Sequence, residues 1–319
     1  MEINKLHTCF LECHSVSTDT RKINQGDMFF ALKGENFNGN EYAKEAISKG
    51  AKYVIIDEEL FPDLKGTILV NNVLEALQEL ASFHRSYLKT PIIALTGSNG
   101  KTTTKELINA TLSKKYHTVA TKGNLNNHIG VPLTLLLMDK LTEIGIVEMG
   151  ANHQKEIEFL CSIAKPDYGL ITNFGKAHLE GFGGVEGVIK GKSEMYTHLI
   201  QNNKIVFVNY NDAIQIEKTK KAQTFTFGTE HQPVDVTINY KDASPFVTCE
   251  YEQLEIQSQL IGDYNFSNIA IAIAIGNYFK ISAENIKEGI ENYVPANNRS
   301  QIVRIGSNTV ILDAYNANP

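Results

Sequence analysis

Short, compact apolar runs alternate with stretches of helical apolar spacing along most of this chain. In the first part, Asp27-Met-Phe-Phe-Ala-Leu and Lys52-Tyr-Val-Ile-Ile read as strands, with a short helix over 40–49 between them. Ile68-Leu-Val is a further strand, and residues 73–87 carry apolar positions at helical spacing. Strands alternating with helices predict a small α/β domain over residues 1–88. Lys89-Thr90-Pro91 marks the hinge that follows, because the proline stops the helix before the next strand.

A second domain is predicted over residues 92–298. Its strands are Ile92-Ile-Ala-Leu-Thr, Glu143-Ile-Gly-Ile-Val-Glu-Met, Tyr168-Gly-Leu-Ile-Thr-Asn and Lys204-Ile-Val-Phe-Val-Asn, with helical segments such as 153–163 and 185–199 between them. That alternation implies a doubly wound, mostly parallel sheet with ligands at the carboxyl ends of its strands. Residues 223–261 change character: Val234-Asp-Val-Thr-Ile-Asn-Tyr and Leu254-Glu-Ile-Gln-Ser-Gln-Leu alternate, which predicts an antiparallel appendage. Residues 265–279 return to helix. The last piece, 299–319, reads as two strands, Gln301-Ile-Val-Arg-Ile and Val310-Ile-Leu-Asp, with no helix after them to cover a sheet. It is expected to be the start of a truncated third domain.

Composition narrows the function classes. The 319 residues are 42% hydrophobic and 21% charged, as in an ordinary globular protein, and suffice for two domains. A net charge of −6 argues against a nucleic-acid surface, so an anionic ligand must be met by locally placed Lys, Arg or metal ions. Cys9, Cys13, Cys161 and Cys249 form no C-x-x-C pair and fit a reducing compartment. Met1-Glu-Ile-Asn-Lys-Leu-His has no apolar signal region, and the richest apolar run, 269–275, is too short to span a bilayer. A cytoplasmic monomer without membrane insertion is expected.

The strongest chemical signal is Thr96-Gly97-Ser98-Asn99-Gly100-Lys101-Thr102-Thr103-Thr104, directly after the strand from Ile92. Glycines let backbone N–H groups approach phosphates, the new helix presents its positive end, and Lys101 can reach the β/γ oxygens of a nucleoside triphosphate. Thr102 stands where a P-loop supplies its Mg²⁺ hydroxyl. Leu95 occupies the place of the first glycine in the general G-x-x-x-x-G-K-[ST] pattern, while the tighter T-G-S-N-G-K-T-T form is complete. Lys101 is expected to be exposed, its charge there for phosphate and not for packing.

Other polar residues cluster at predicted strand ends. Glu148 closes its strand near where a phosphate-bound Mg²⁺ would lie, and a carboxylate is a suitable hard ligand. Taken alone, His178 reads as structural and Lys192 as a surface lysine on a helix. Asn124-Leu-Asn-Asn-His-Ile-Gly is either turn chemistry or a polar wall beside the P-loop.

Together these segments resemble the Mur ligases, ATP-dependent amide-forming enzymes of peptidoglycan synthesis. The resemblance runs through the P-loop, Lys122-Gly-Asn-Leu-Asn-Asn-His-Ile-Gly-Val-Pro, Glu148-Met-Gly-Ala-Asn-His, Ala177-His-Leu-Glu-Gly-Phe-Gly and the closing Asp313-Ala-Tyr-Asn-Ala-Asn-Pro. These strings are most similar to the family branch that joins D-alanyl-D-alanine to UDP-N-acetylmuramoyl-tripeptide. The resemblance implies that Thr102 and Glu148 hold one Mg²⁺, that His178 holds a second, and that Lys192 is carbamylated to serve the metal site. It puts Gly97 to Thr103, Asn265, Asn268, Arg299 and Asp313 on ATP, with the Asn pair facing adenine and Asp313 on the ribose. Asn126 and Asn127 fall on substrate, and Ser17-Thr18-Asp19-Thr20-Arg21 on the uridine nucleotide. This chain departs from the family at Tyr264, where histidine is usual, and at Asn38-Gly39-Asn40, where Asp-Gly-His is usual.

The implied reaction forms an acyl phosphate at the tripeptide carboxylate and then an amide with the dipeptide amine. Lys101, Arg299 and two Mg²⁺ would neutralise the approaching anions. The competing readings are the family ligase that adds the third amino acid of the same stem, a folate polyglutamate ligase, and a nucleotide-binding module without turnover.

Overall fold

The computed structural model describes residues 2–295, 299 and 301–312. The first unit opens with α1 (Ile3–Leu11), followed by β1 (Val16–Ser17), β2 (Met28–Phe30) and a small hairpin of β3 (Lys33–Gly34) and β4 (Phe37–Asn38). Then come α2 (Ala43–Ser48), β5 (Tyr53–Ile56), β6 (Thr67–Leu69) and the long α3 (Val73–Leu88). β1, β2, β5 and β6 form a four-stranded parallel sheet in that order. Asn72 starts α3 by accepting a hydrogen bond from the Glu75 N–H, and Lys89 ends it in the left-handed region at φ 59°.

The second unit begins with β7 (Ile92–Thr96), α4 (Lys101–Leu112), β8 (Thr118–Ala120), α5 (Gly130–Leu135), β9 (Ile144–Glu148) and α6 (Glu156–Ala164). It continues through β10 (Tyr168–Ile171), α7 (Leu179–Phe182), α8 (Val185–Gln201), β11 (Ile205–Asn209), α9 (Ala213–Lys218), β12 (Gln223–Gly228) and β13 (Val236–Thr237). Seven strands make one sheet, ordered β13-β12-β11-β10-β7-β9-β8, and every pair in it is parallel. β7 lies inside this sheet with both neighbours, β9 and β10, arriving later in the chain, so the crevice for a ligand opens at its carboxyl end.

One expectation is corrected here. The antiparallel appendage starts later than residue 223: β12 and β13 extend the parallel sheet, and only β14 (Asn239–Asp242), β15 (Phe246–Tyr251) and β16 (Leu254–Ile261) pair antiparallel. β13 is the edge strand, with Val236 buried and Thr237 exposed, so the alternating run around it mimics a half-solvated antiparallel strand. Helices α10 (Asn265–Tyr278) and α11 (Ala283–Glu291) then cover the sheet, and β17 (Gln301–Ile305) and β18 (Asn308–Leu312) form a final hairpin.

Two large cores flank the seven-stranded sheet. One packs α4, α10 and α11 on a face that includes Ile93, Leu95 and Ile146. The other runs without a break from Leu6, Phe30, Leu77 and Leu80 of the first unit into Ile92, Val147 and Leu160 of the second. The first unit is thereby docked on the nucleotide-type sheet through α3.

Candidate active site

The turn after β7 is built so that only glycine fits at two places. Gly97 lies at φ +149°, and a Cβ there would come within 1.9 Å of Thr172 Oγ1. Gly100 lies at φ +78° at the start of α4, where a Cβ would fall 2.4 Å from Asn268 Oδ1. The loop is tied to the end of β10: Ser98 N donates to Asn173 O at 3.0 Å, and Thr172 Oγ1 donates to Asn99 O at 2.6 Å. Asn99 N donates to Asn173 Oδ1 at 3.1 Å, and Ser98 Oγ to Gly175 O at 2.7 Å. The result is a rigid phosphate cradle over a helix N-terminus.

Lys101 is half-buried, contrary to the exposed lysine expected. Its Nζ curls back to donate to Gly97 O at 2.8 Å and Ser98 O at 3.2 Å. Burial pushes its pKa down, with Glu148 opposing that shift and Arg299 adding to it.

A cavity of about 1310 Å³ opens over this turn. Thr102 and Glu148 meet at its floor: Thr102 Oγ1 donates to Glu148 Oε1 at 3.3 Å, and Asn126 Nδ2 donates to the same oxygen at 2.7 Å. Glu148 is 1% exposed, and its Oε2 is buried with no hydrogen-bond partner among the described residues. An unpaired buried carboxylate oxygen costs free energy that a hard cation would offset. Glu148 and Thr102 are therefore the oxygen donors that would hold a hard divalent cation here. No group of three His, Cys, Asp or Glu side chains that could hold a metal ion gathers among the described residues.

His178 begins α7 at φ 54° and lines the same cavity. Desolvation lowers its pKa, and the charges of Lys101 and Lys192 lower it further. Lys192 is not the surface residue that its helix alone suggested. It is 1% exposed, its Nζ sits 5.3 Å from the centre of the Phe182 ring, and it makes no hydrogen bond or ion pair among the described residues. Burial, then the charge of Lys101, pushes its amine down to about 7. Lys192 does not itself line the cavity.

The amide-rich loop satisfies both readings open for it, since Asn124, Asn126, Asn127 and His128 all line the cavity. Asn127 does turn chemistry, its Oδ1 accepting from Ile129 N and Gly130 N at the start of α5. Asn126 faces Glu148, and its carbonyl accepts from Gly150 N at 2.8 Å. Asn265 and Asn268 are buried beside the loop, with Asn268 Nδ2 donating to Asn265 Oδ1 and Thr104 Oγ1 donating to Asn268 Oδ1. Both asparagines line the cavity, as do the exposed Tyr264 and the half-buried Arg299. Asp313 lies outside the described residues.

The first unit's predicted loop stands apart from this cavity. Asp19 caps a short 3-10 turn, accepting from Arg21 N, and Arg21 holds its carboxylate bidentately at 2.9 and 2.8 Å. That guanidinium pushes Asp19 down to about 2. Ser17 Oγ donates to Asp19 O, Thr20 O accepts from Lys49 Nζ, and Thr18 is half-buried between them. Asn40 is fully buried, donating to Asp57 and accepting from its N–H. What the sequence reading missed is the start of α3: Asn72, Glu75 and Gln78 line the cavity from the first unit, and Gln78 Nε2 donates to His128 O at 3.0 Å. Asn72-x-x-Glu75 announces only a helix start, so this role left no separate signal.

A phosphate cradle with an acidic strand end, on a parallel sheet with a docked first unit, defines a P-loop ATP-dependent ligase. Family models agree: residues 12–85 match the Mur ligase family, catalytic domain, and residues 95–276 match the Mur ligase middle domain. The chain belongs to the Mur ligase family. Among curated relatives, it is 35% identical over 309 residues to the UDP-N-acetylmuramoyl-tripeptide–D-alanyl-D-alanine ligase of Bacillus subtilis, covering 96% of this chain and 68% of that protein. Among solved structures, MurF from Acinetobacter baumannii superposes with a TM-score of 0.85 at 30% identity, over 99% of this chain and 73% of that one. MurF from Thermotoga maritima, in complex with ADP, superposes at 0.81 with 26% identity, over 97% and 72%. No described helix is long and apolar enough to cross a membrane.

Proposed function

We propose that this chain is the ATP-dependent ligase that joins D-alanyl-D-alanine to UDP-N-acetylmuramoyl-tripeptide. The carrying observation is the buried floor in which Thr102, Asn126 and the half-satisfied Glu148 converge beneath the Lys101 cradle. In the first step, the tripeptide carboxylate attacks the γ-phosphorus of ATP, giving an acyl phosphate and ADP. In the second, the dipeptide amine attacks the acyl carbon and phosphate leaves. Lys101 and Arg299 line the space where two anions approach, so this chain's part is charge neutralisation and positioning. Mg²⁺, bound at Thr102 and Glu148, would screen the phosphate oxygens.

Lys192 is assigned as a carbamate. Its neutral amine adds to CO₂, forming an N–C bond and releasing a proton, and the resulting anion would replace the positive charge that Lys192 now exerts on His178. A buried amine pushed down to about 7 supports this, since the free base is the nucleophile. The Ser17–Arg21 turn is assigned to the uridine end of the substrate, with Arg21 as its exposed cation. Free Cys9, Cys13, Cys161 and Cys249, together with the need for ATP, support a cytoplasmic setting.

The test is phosphate release by the full-length protein with UDP-N-acetylmuramoyl-tripeptide, D-alanyl-D-alanine, ATP and Mg²⁺, with the product mass measured. Release should require both organic substrates. Equal release with the muramoyl dipeptide and a single diamino acid would instead favour the ligase that adds the third residue.

A further inference from the structure

Lys105 is a fully buried lysine on α4, one turn beyond Lys101, and the proposed reaction gives it no task. A buried ammonium is tolerated only when its protons are met. Here they are: Lys105 Nζ donates to Thr121 O at 2.5 Å and reaches Gly123 O at 3.4 Å, and it pairs with Glu106 Oε1 at 2.9 Å. The two carbonyls belong to the segment leaving the edge strand β8, where strand pairing is about to stop.

That segment grips the Glu148 strand end on both sides. Thr121 N donates to Ile146 O at 2.9 Å, and Thr121 Oγ1 accepts from Glu148 N at 3.0 Å. Five residues on, Asn126 donates to Glu148 Oε1 and accepts from Gly150 N. The backbone on either side of the carboxylate, and the carboxylate itself, are thus set by one loop whose root is pinned by Lys105. An apolar side chain of equal volume would fill the space at lower desolvation cost but would leave the buried Thr121 carbonyl at the root of the loop unbound.

We propose that Lys105 is a positioning residue: through the 121–126 loop it holds Glu148 and Asn126 in the geometry that receives a phosphate-bound divalent cation. The inference rests on the nucleotide–Mg²⁺ reading of the site. It concerns a residue that touches neither ligand.

The experiment is calorimetry of ADP binding to the full chain at a series of Mg²⁺ concentrations, with amide hydrogen exchange of residues 121–127 recorded in parallel. In Lys105→Met the Mg²⁺ midpoint should rise at least tenfold, while ADP affinity without metal changes less than twofold. Exchange in 121–127 should rise tenfold or more, and exchange in α10 should not change. A folded Lys105→Met with the wild-type midpoint and wild-type loop exchange overturns the proposal. Should that variant fail to fold, Thr121→Val keeps the volume and removes the acceptor for Glu148 N, together with the longer contact from Thr134 Oγ1 at 3.4 Å; its midpoint must rise in the same direction, and an unchanged midpoint overturns the proposal equally. Wild-type protein that binds ADP with no Mg²⁺ dependence would overturn the site reading itself, a result distinguishable from a failure of Lys105 alone.

Discussion

Lys192 and Glu148 are incomplete in complementary ways: one is a buried amine without a partner, the other a buried carboxylate with one oxygen unmatched. Both cost the ligand-free chain stability, and such costs collect at functional sites. For Lys192 the cost has a definite pH dependence. Its amine titrates at about 7 in the fold against an ordinary 10.5, so the folded state holds the proton less tightly than the unfolded chain. The penalty is absent above about 10.5, grows as pH falls, and levels off below about 7. At about 1.4 kcal/mol per unit, it amounts to roughly 3 kcal/mol at pH 8. Lys192→Met should therefore stabilise the ligand-free protein, with a gap in urea unfolding that narrows from pH 7 to pH 10; a pH-independent gap would refute the assignment of a buried, depressed amine. Activity should run the other way. Lys192→Ala should be nearly inactive and partly restored by acetate, and stripping CO₂ and bicarbonate from wild type should lower its rate. Lys101→Ala should lose ATP affinity by at least tenfold in calorimetry while the fold persists in circular dichroism. The burial of these lysines was partly legible in the sequence, since Lys192 falls in the apolar stripe of Val188, Met195 and Leu199, and Lys105 in that of Ile108 and Leu112. A polar residue in a stripe is a weak sign by itself; the loops that meet it come from distant parts of the chain.

At the scale of elements, the P-loop was readable because its physics is local. An apolar strand, two glycines and a helix start within a dozen residues leave few alternatives. What the motif did not disclose is why each glycine is required. Gly97 faces the Thr172 side chain and Gly100 the Asn268 amide, contacts with residues some 75 and 168 positions away. Gly97→Ala should cost roughly 1–3 kcal/mol through backbone strain and displacement of Thr172. It should also weaken ADP binding strongly, because Thr172 Oγ1 holds the Asn99 carbonyl that shapes the cradle. Chemical denaturation and calorimetry on the same variant check both, and a variant with wild-type values would show the turn to be more forgiving than its geometry implies. The strands β12 and β13 were less legible for the opposite reason. Their side-chain alternation reports how each face is covered, whereas parallel pairing is decided by the connections, through α9 into β12 and through residues 229–235 into β13.

The whole molecule is held together at a joint that no motif announces. Lys89-Thr90-Pro91 does end α3, but α3 is anchored on both sides of that turn. Its Arg85 donates to Ala164 O, Lys165 O and Asp167 Oδ2, the last at 2.6 Å. Asp167 in turn accepts from Ile92 N and from Lys204, so one carboxylate joins the first unit's helix to the entry of β7 and to the strand next to β10. Nearby, His84 bonds to His7 and to the Met138 carbonyl, and burial holds both imidazoles below their ordinary pKa. Since the hydrophobic core also passes through this joint, residues 1–88 and the parallel sheet should unfold together. Asp167→Asn should lower stability by about 2 kcal/mol or more, because Arg85 is nearly buried and would lose its counter-charge. Lys204→Met, at a partly exposed site, should cost under about 1 kcal/mol. Urea unfolding followed by both fluorescence and circular dichroism separates the possibilities. Coincident single transitions, with Asp167→Asn shifted further than Lys204→Met, are the expected result. Two resolved transitions in wild type would mean that the first unit is an independent body carrying the Ser17–Arg21 turn, and that the α3 residues lining the cavity reach it only when ligand draws the units together.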